Sequence, residues 1–131
     1  MIRIPIQLRY NDYDDRGHVN NAVYLTYFEL GRMEAWRVMG EGHEPSFLVA
    51  EARVIYRSPA MLGDPLAVEV ETSDIRNKAW VWKYRVLDSR DDRLIAEGET
   101  TQVMYDFASR VSVPIPDALR AALAREPGGR G

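Results

Sequence analysis

Only one long stretch of this chain, about Asn21 to Met39, carries helical spacing, and nearly everything after it alternates with a period of two. Tyr24, Phe28, Gly31 and Ala35 fall at intervals of four, three and four and predict one face of a long helix. Gly31 costs about 1 kcal/mol of helix propensity, so its place on that stripe suits a helix pressed closely against a sheet. Gly40 and Gly42 are stop signals. Before the helix, Ile2, Ile4, Ile6, Leu8 and Tyr10 alternate with Arg3, Pro5, Gln7 and Arg9, which predicts a half-buried strand with an edge or bulge at Pro5. After it come strands over 47–57, with Leu48, Ala50, Ala52, Val54 and Tyr56 on one face, and around Leu66–Thr72. Two more follow at Trp80–Val86 and about 94–107, then a short helix opened by Pro116-Asp117 and running to about Arg125. The order β-α-β-β-β-β-α lacks the repeated crossovers of a parallel doubly wound sheet. It predicts an α+β domain with an antiparallel sheet curled around one long central helix. Residues 1–126 form that single domain, and 127–131 read as a flexible tail.

The composition narrows the function. At 131 residues, 46% hydrophobic and 28% charged, the chain can bury a real core. A net charge of −3 gives no basic field for nucleic acid, so an anionic ligand needs a local cluster of Arg and Lys. The absence of cysteine excludes disulfides, thiolate metal sites and a cysteine nucleophile. With only His18 and His43, no histidine-rich metal site is expected. The N-terminus lacks a signal-peptide run and no apolar stretch reaches membrane-spanning length, so the expectation is a cytoplasmic protein with no membrane span.

The chemistry concentrates in Asp12-Tyr13-Asp14-Asp15-Arg16-Gly17-His18-Val19-Asn20-Asn21, between the first strand and the helix. Asp12, Asp14 and Gly17 fit positions one, three and six of a calcium loop, but Arg16 at position five and Val23 at position twelve break it. Two readings stay open on the residues alone. Asp, Asn and Gly are ordinary turn residues, with Asn20 or Asn21 capping the helix. Alternatively, a carboxylate beside a helix N-terminus can act on a carbonyl carbon or on water, while the free N–H groups of the first turn receive the oxyanion.

The run from Asp12 to Leu25, continued by Tyr27-Phe28-Glu29, resembles the signature of hotdog-fold acyl-CoA thioesterases, the 4-hydroxybenzoyl-CoA thioesterase type and its bacterial relatives. The His-Val-Asn-Asn-x-x-Tyr core is also similar to that of plant acyl-carrier-protein thioesterases, and Arg57-Ser-Pro-Ala matches near the end of the second strand. The resemblance implies thioester hydrolysis with Asp14 as nucleophile or general base and the backbone N–H of Asn21 as oxyanion donor. Several short-chain relatives have histidine at the position of Asn21, so that subgroup's substrate preference does not carry over. The helix glutamate of another hotdog group is not clearly matched by Glu29 or Glu34. Further expectations are Gly17 for close backbone approach and Asn20 as a loop-fixing amide. His18 either orients loop or substrate or is bonded to nearby backbone.

Tyr24, Tyr27 and Phe28 are candidates to line an acyl pocket, although such a stripe is also what a core looks like. Arg57, Arg76, Lys78 and Arg110 are candidates to meet the phosphates of coenzyme A, with Arg76-Asn77-Lys78 the tightest cluster. Coenzyme A is then part of the substrate, with no separate cofactor and no metal. The resemblance further implies a homodimer or homotetramer. The competing function is a hotdog module that binds acyl-CoA without hydrolysing it, or an acyl-carrier-protein thioesterase. A hotdog dehydratase needs a histidine motif that is not found here.

Overall fold

The computed structural model describes residues 1–40 and 46–128. The chain runs β1 (Ile2–Ile6), α1 (Tyr24–Met39), β2 (Phe47–Tyr56), β3 (Leu66–Ser73), β4 (Ala79–Asp88), β5 (Arg93–Asp106), β6 (Val111–Ser112) and α2 (Asp117–Gly128). The strands form one curled antiparallel sheet in the order β1-β3-β4-β5-β2, and the two-residue β6 pairs with the end of β5. The α+β reading therefore holds, and so does the order of elements along the chain apart from the additional short β6.

The helix expectation needs correcting. Residues Asn21–Val23 form a separate 3-10 turn, α1 proper has 16 residues, and the 12-residue α2 packs on β3 as well. The predicted stop at Gly40 caps α1, while Gly42 and His43 lie outside the described residues. α2 runs past the expected Arg125 to Gly128, and 129–131 lie outside the described residues.

The predicted stripe of Tyr24, Phe28, Gly31 and Ala35 is buried against the sheet, joined by Tyr27, Trp36 and Met39. Gly31 is there because a Cβ would stand 2.6 Å from Val70 Cγ2, so only glycine lets α1 come this close to β3. Facing the helix are Trp80, Trp82 and Tyr84 of β4, all fully buried. Phe28 stacks on Tyr84 with ring centroids 4.5 Å apart. Burying side chains of this size stabilises by about 3 kcal/mol each, so this seam helps anchor α1.

Two strands end or turn differently from the sequence reading. β1 stops at Ile6, because Tyr10–Asp12 winds into a 3-10 turn whose Asp12 N–H donates to Arg9 O at 2.9 Å. In β2 the register slips between Val49 and Glu51. That bulge sends Leu48 to the opposite face from Ala52, Val54 and Tyr56, so the expected single apolar face does not run the whole strand. Beyond the bulge, Val54 pairs with Gly98 of β5. A Cβ on Gly98 would lie 2.0 Å from Arg53 O and 2.7 Å from Phe28. Gly98→Ala is expected to cost about 3 kcal/mol, the scale of overpacking a filled core, measured as a lower urea midpoint at unchanged slope.

Candidate active site

The loop between β1 and the helix contains two aspartates with opposite fates. Asp12 is buried at 1% exposure. Its Oδ2 accepts from Arg9 N–H and from the Tyr27 hydroxyl, each at 3.0 Å, and its Oδ1 from the Arg9 guanidinium. Its carbonyl accepts the Asn20 N–H at 2.7 Å. Burial alone pushes the Asp12 carboxyl up, but the hydrogen bonds from Arg9 and Tyr27 outweigh it and hold the group below the ordinary carboxylate value.

Asp14 is exposed. Its Oδ1 accepts backbone N–H groups from Arg16 at 2.9 Å and His18 at 3.1 Å, while Asp14 N–H donates to His18 O at 2.7 Å. These contacts close a tight turn in which Gly17 takes φ +77°, a left-handed conformation that by itself accounts for glycine here. A Cβ on Gly17 would meet nothing within 4 Å. The Arg16 N–H, followed by that of His18, lowers the Asp14 carboxyl below the usual range, so it is ionised at neutral pH. Its Oδ2 has no hydrogen-bond partner among the described residues.

Across from it the helix entrance begins. Asn20 has extended backbone (φ −63°, ψ 133°) and its side-chain oxygen accepts Ala22 N–H at 2.9 Å, so it is the cap. The Asn21 carbonyl accepts the Tyr56 hydroxyl at 3.0 Å, and the Asn21 N–H has no acceptor among the described residues. An ionised carboxylate and a free first-turn N–H thus border the same groove.

That groove, about 530 Å³, is lined by Asp14, His18, Val19, Asn20, Asn21, Tyr24, Tyr56, Arg57, Ser58 and Pro59. It brings together six of the residues singled out from sequence: Asp14, His18, Asn20, Asn21, Tyr24 and Arg57. Gly17 shapes the turn just behind it. The His18 ring lines the groove without a hydrogen bond among the described residues. Arg57 is tied to Glu97 at 2.7 Å.

Five other expected residues lie outside this groove. Tyr27 and Phe28 are core, at 1% and 0% exposure, with Tyr27 spent on Asp12 and Phe28 on Tyr84. Arg76 and Lys78 sit on the β3–β4 turn, beyond Ser73, while the Asp14 loop packs beside the opposite end, beyond Leu66. The eight residues of β3 separate the two by about 25 Å within one chain. Arg76 pairs with Asp74. Arg110 lies in the turn between β5 and β6, which Met104 and Ile115 tie to the 77–78 backbone at that same far end.

The sequence reading did not place Tyr56, Ser58 and Pro59 in the wall. The Arg57-Ser-Pro-Ala motif was the available signal, but only the sheet sets it against the loop. Val19 N–H donates to Ala60 O at 2.9 Å, Leu62 N–H to Gly17 O at 2.9 Å, and His18 bridges Met61. No group of three or more His, Asp or Glu side chains among the described residues could hold a metal ion. Among them also, no helix is long and apolar enough to cross a membrane.

The division between the aspartates is testable. Asp12→Leu strands the Tyr27 hydroxyl and Arg9, and is expected to cost about 3 kcal/mol in urea denaturation at pH 7. Asp14→Asn keeps an oxygen for both N–H donors and should leave the melting temperature within a few degrees. Because the folded Asp12 carboxyl is depressed, its stabilisation is complete above the ordinary value of 3.8 and is lost as pH falls through the folded value. The stability gap between the wild type and Asp12→Leu should therefore narrow in acid.

Residues 8–123 match the model of the thioesterase-like superfamily. The acyl-CoA thioester hydrolase YbgC of Escherichia coli O6:H1 is 29% identical over 114 residues, 81% of this chain and 83% of that protein. The long-chain acyl-CoA thioesterase FadM of Escherichia coli K12 is 25% identical over 130 residues, 93% and 96% of the two chains. Among solved structures, a thioesterase from Thermus thermophilus, complexed with coenzyme A and zinc, superposes with a TM-score of 0.86 at 30% identity, covering 96% of this chain and 94% of that one. The hotdog fold expected from the loop motif is the fold of these neighbours, and the chain belongs to the thioesterase-like superfamily.

Proposed function

We propose that this protein hydrolyses acyl-CoA thioesters to the free acid and coenzyme A, with Asp14 acting on the thioester carbonyl and the Asn21 N–H receiving its oxyanion. The observation that carries this reading is the pairing of two unengaged groups on one groove, Asp14 Oδ2 and the Asn21 N–H. A thioester suits a site this sparse. Its leaving thiolate has a pKa of about 8.5, so no strong general acid is required. One preorganised oxyanion donor is worth about 3–4 kcal/mol, and the helix dipole acts in the same direction.

General-base catalysis works best when the base titrates near the operating pH. Asp14 either attacks the carbonyl, expelling the thiolate and giving a mixed anhydride that water then cleaves, or deprotonates the water that attacks. His18 and Tyr24 contact the acyl thioester, Asn20 fixes the cap, and Arg57 meets the pantetheine or phosphate end.

Arg76 and Lys78 belong to this reading only through a second copy. β2 is an edge strand, and Leu48, Val49 and Tyr56 along it are exposed. Two copies pairing antiparallel along β2 would set the Phe47 end of one beside the Tyr56 end of the other. The far-end cations would then come to the partner's groove, in a homodimer or in a homotetramer built from two such pairs.

Release of free thiol from a panel of acyl-CoA esters tests the activity. Asp14→Asn is expected to reduce turnover by about a thousand-fold or more, the scale of losing a covalent nucleophile, and unchanged turnover would sink the assignment. Since the Asp14 carboxyl is lowered, it remains ionised as pH falls through the ordinary range, so the acid limb of kcat/KM should lie below 3.8. A limb between about pH 5 and 7, where histidine titrates, would assign the step to another group.

A further inference from the structure

We infer that Arg93 is a positioning residue for this site, holding Asp14 in register with the Asn21 N–H through the Arg57–Met61 segment; this rests on the proposed thioesterase reading. Arg93 begins β5 and lines no part of the groove. Its Nη1 donates to Ser58 Oγ at 2.8 Å and to Pro59 O at 3.3 Å. Its Nη2 faces two carboxylates, Asp64 at 3.5 Å and Asp88 at 3.6 Å. Ser58 Oγ in turn donates to Leu94 O, and the N–H groups of Arg57 and Ser58 both reach Ile95 O.

One side of the segment is thus fastened to β5, with the Arg93 guanidinium spanning it. The other side carries the catalytic loop through the two hydrogen bonds of the His18–Met61 bridge, Val19 N–H to Ala60 O and Leu62 N–H to Gly17 O. His18 N–H then holds Asp14 Oδ1. Each link is a hydrogen bond, so a shift of Pro59 and Ala60 is passed to the carboxylate. The helix entrance has a separate anchor in the Tyr56 hydroxyl. Tyr24 at the start of α1 also takes a hydrogen bond from the Ala60 backbone, so losing Arg93 would disturb Asp14 most, with Asn21 held by the Tyr56 hydroxyl as well. A misplacement of about 1 Å can cost about a hundred-fold in rate.

A second feature makes the idea testable without unfolding the protein. Arg90 also reaches both carboxylates, Asp88 at 2.5 Å and Asp64 at 2.6 Å. Removing Arg93 leaves neither Asp64 nor Asp88 unpaired.

The experiment compares wild type, Arg93→Met, Arg93→Lys and the control Arg37→Met, whose guanidinium pairs with Glu34 on the surface of α1. Amide hydrogen exchange and acyl-CoA turnover are read on each. Arg93→Met should lower kcat about ten-fold or more with KM within about two-fold, the pattern of a misplaced reacting group. It should also speed exchange at Val19 and Leu62 about ten-fold while Val70 and Trp82 are unaffected, as local opening requires. Arg93→Lys, with the charge but a single donor group, should recover part of both, and Arg37→Met should match wild type. Unchanged exchange at Val19 and Leu62, or equal loss across the sheet, overturns the inference. If wild type itself releases no thiol, the thioesterase reading fails, and the exchange data still decide whether Arg93 holds the loop.

Discussion

The buried carboxylate of Asp12 is the contact on which the site depends. A carboxylate this deep must be compensated or it costs several kcal/mol. Arg9 and Tyr27 compensate it from two directions, and its own carbonyl takes the Asn20 N–H. One residue therefore joins the end of the first strand region, the first turn of α1 and the helix cap. With Asp12 fixed, the chain from Tyr13 to Val19 closes as a short antiparallel loop, and Asp14 projects from it. The exposed aspartate is positioned because its neighbour two residues earlier is buried.

The same logic explains why α1 starts with a 3-10 turn. Asn20 caps it, Tyr56 holds the Asn21 carbonyl, and Asn21 lines the groove. Helix entrances normally satisfy such donors with a cap, water or ligand. Here the cap serves Ala22, and the Asn21 N–H has no acceptor among the described residues. The Phe28–Tyr84 stack and the contact of Gly31 with Val70 lock the helix behind that entrance, so the donor is carried on a rigid element rather than a loop.

Acidic loop, small-residue stripe and the order of the main elements along the chain were all legible because each is local. Asp14, Asn20 and Asn21 share one short run of sequence with Asp12, and the turn and cap they form require only neighbours. Tyr27 and Phe28 were candidates for pocket and core alike, since helical spacing gives a face but does not say what covers it. The bulge at Val49–Glu51 was hidden for a related reason: it is a property of the pairing with β5, and alternation read along one strand assumes no slip.

The sequence by itself determined the α+β order, the closeness of helix to sheet through Gly31, and the presence of one acidic, glycine-containing loop at a helix entrance. Those follow from periodicity and from residue types with few conformational choices. The tertiary structure decided which aspartate is buried and which faces the groove, because that depends on Tyr27 of α1 being folded back onto Asp12. It also decided that Tyr56, Ser58 and Pro59 form the opposite wall and that Arg76 and Lys78 stand about a strand's length away. Burial and distance are set by how strands far apart in the sequence are brought together, and no spacing along the chain encodes that directly.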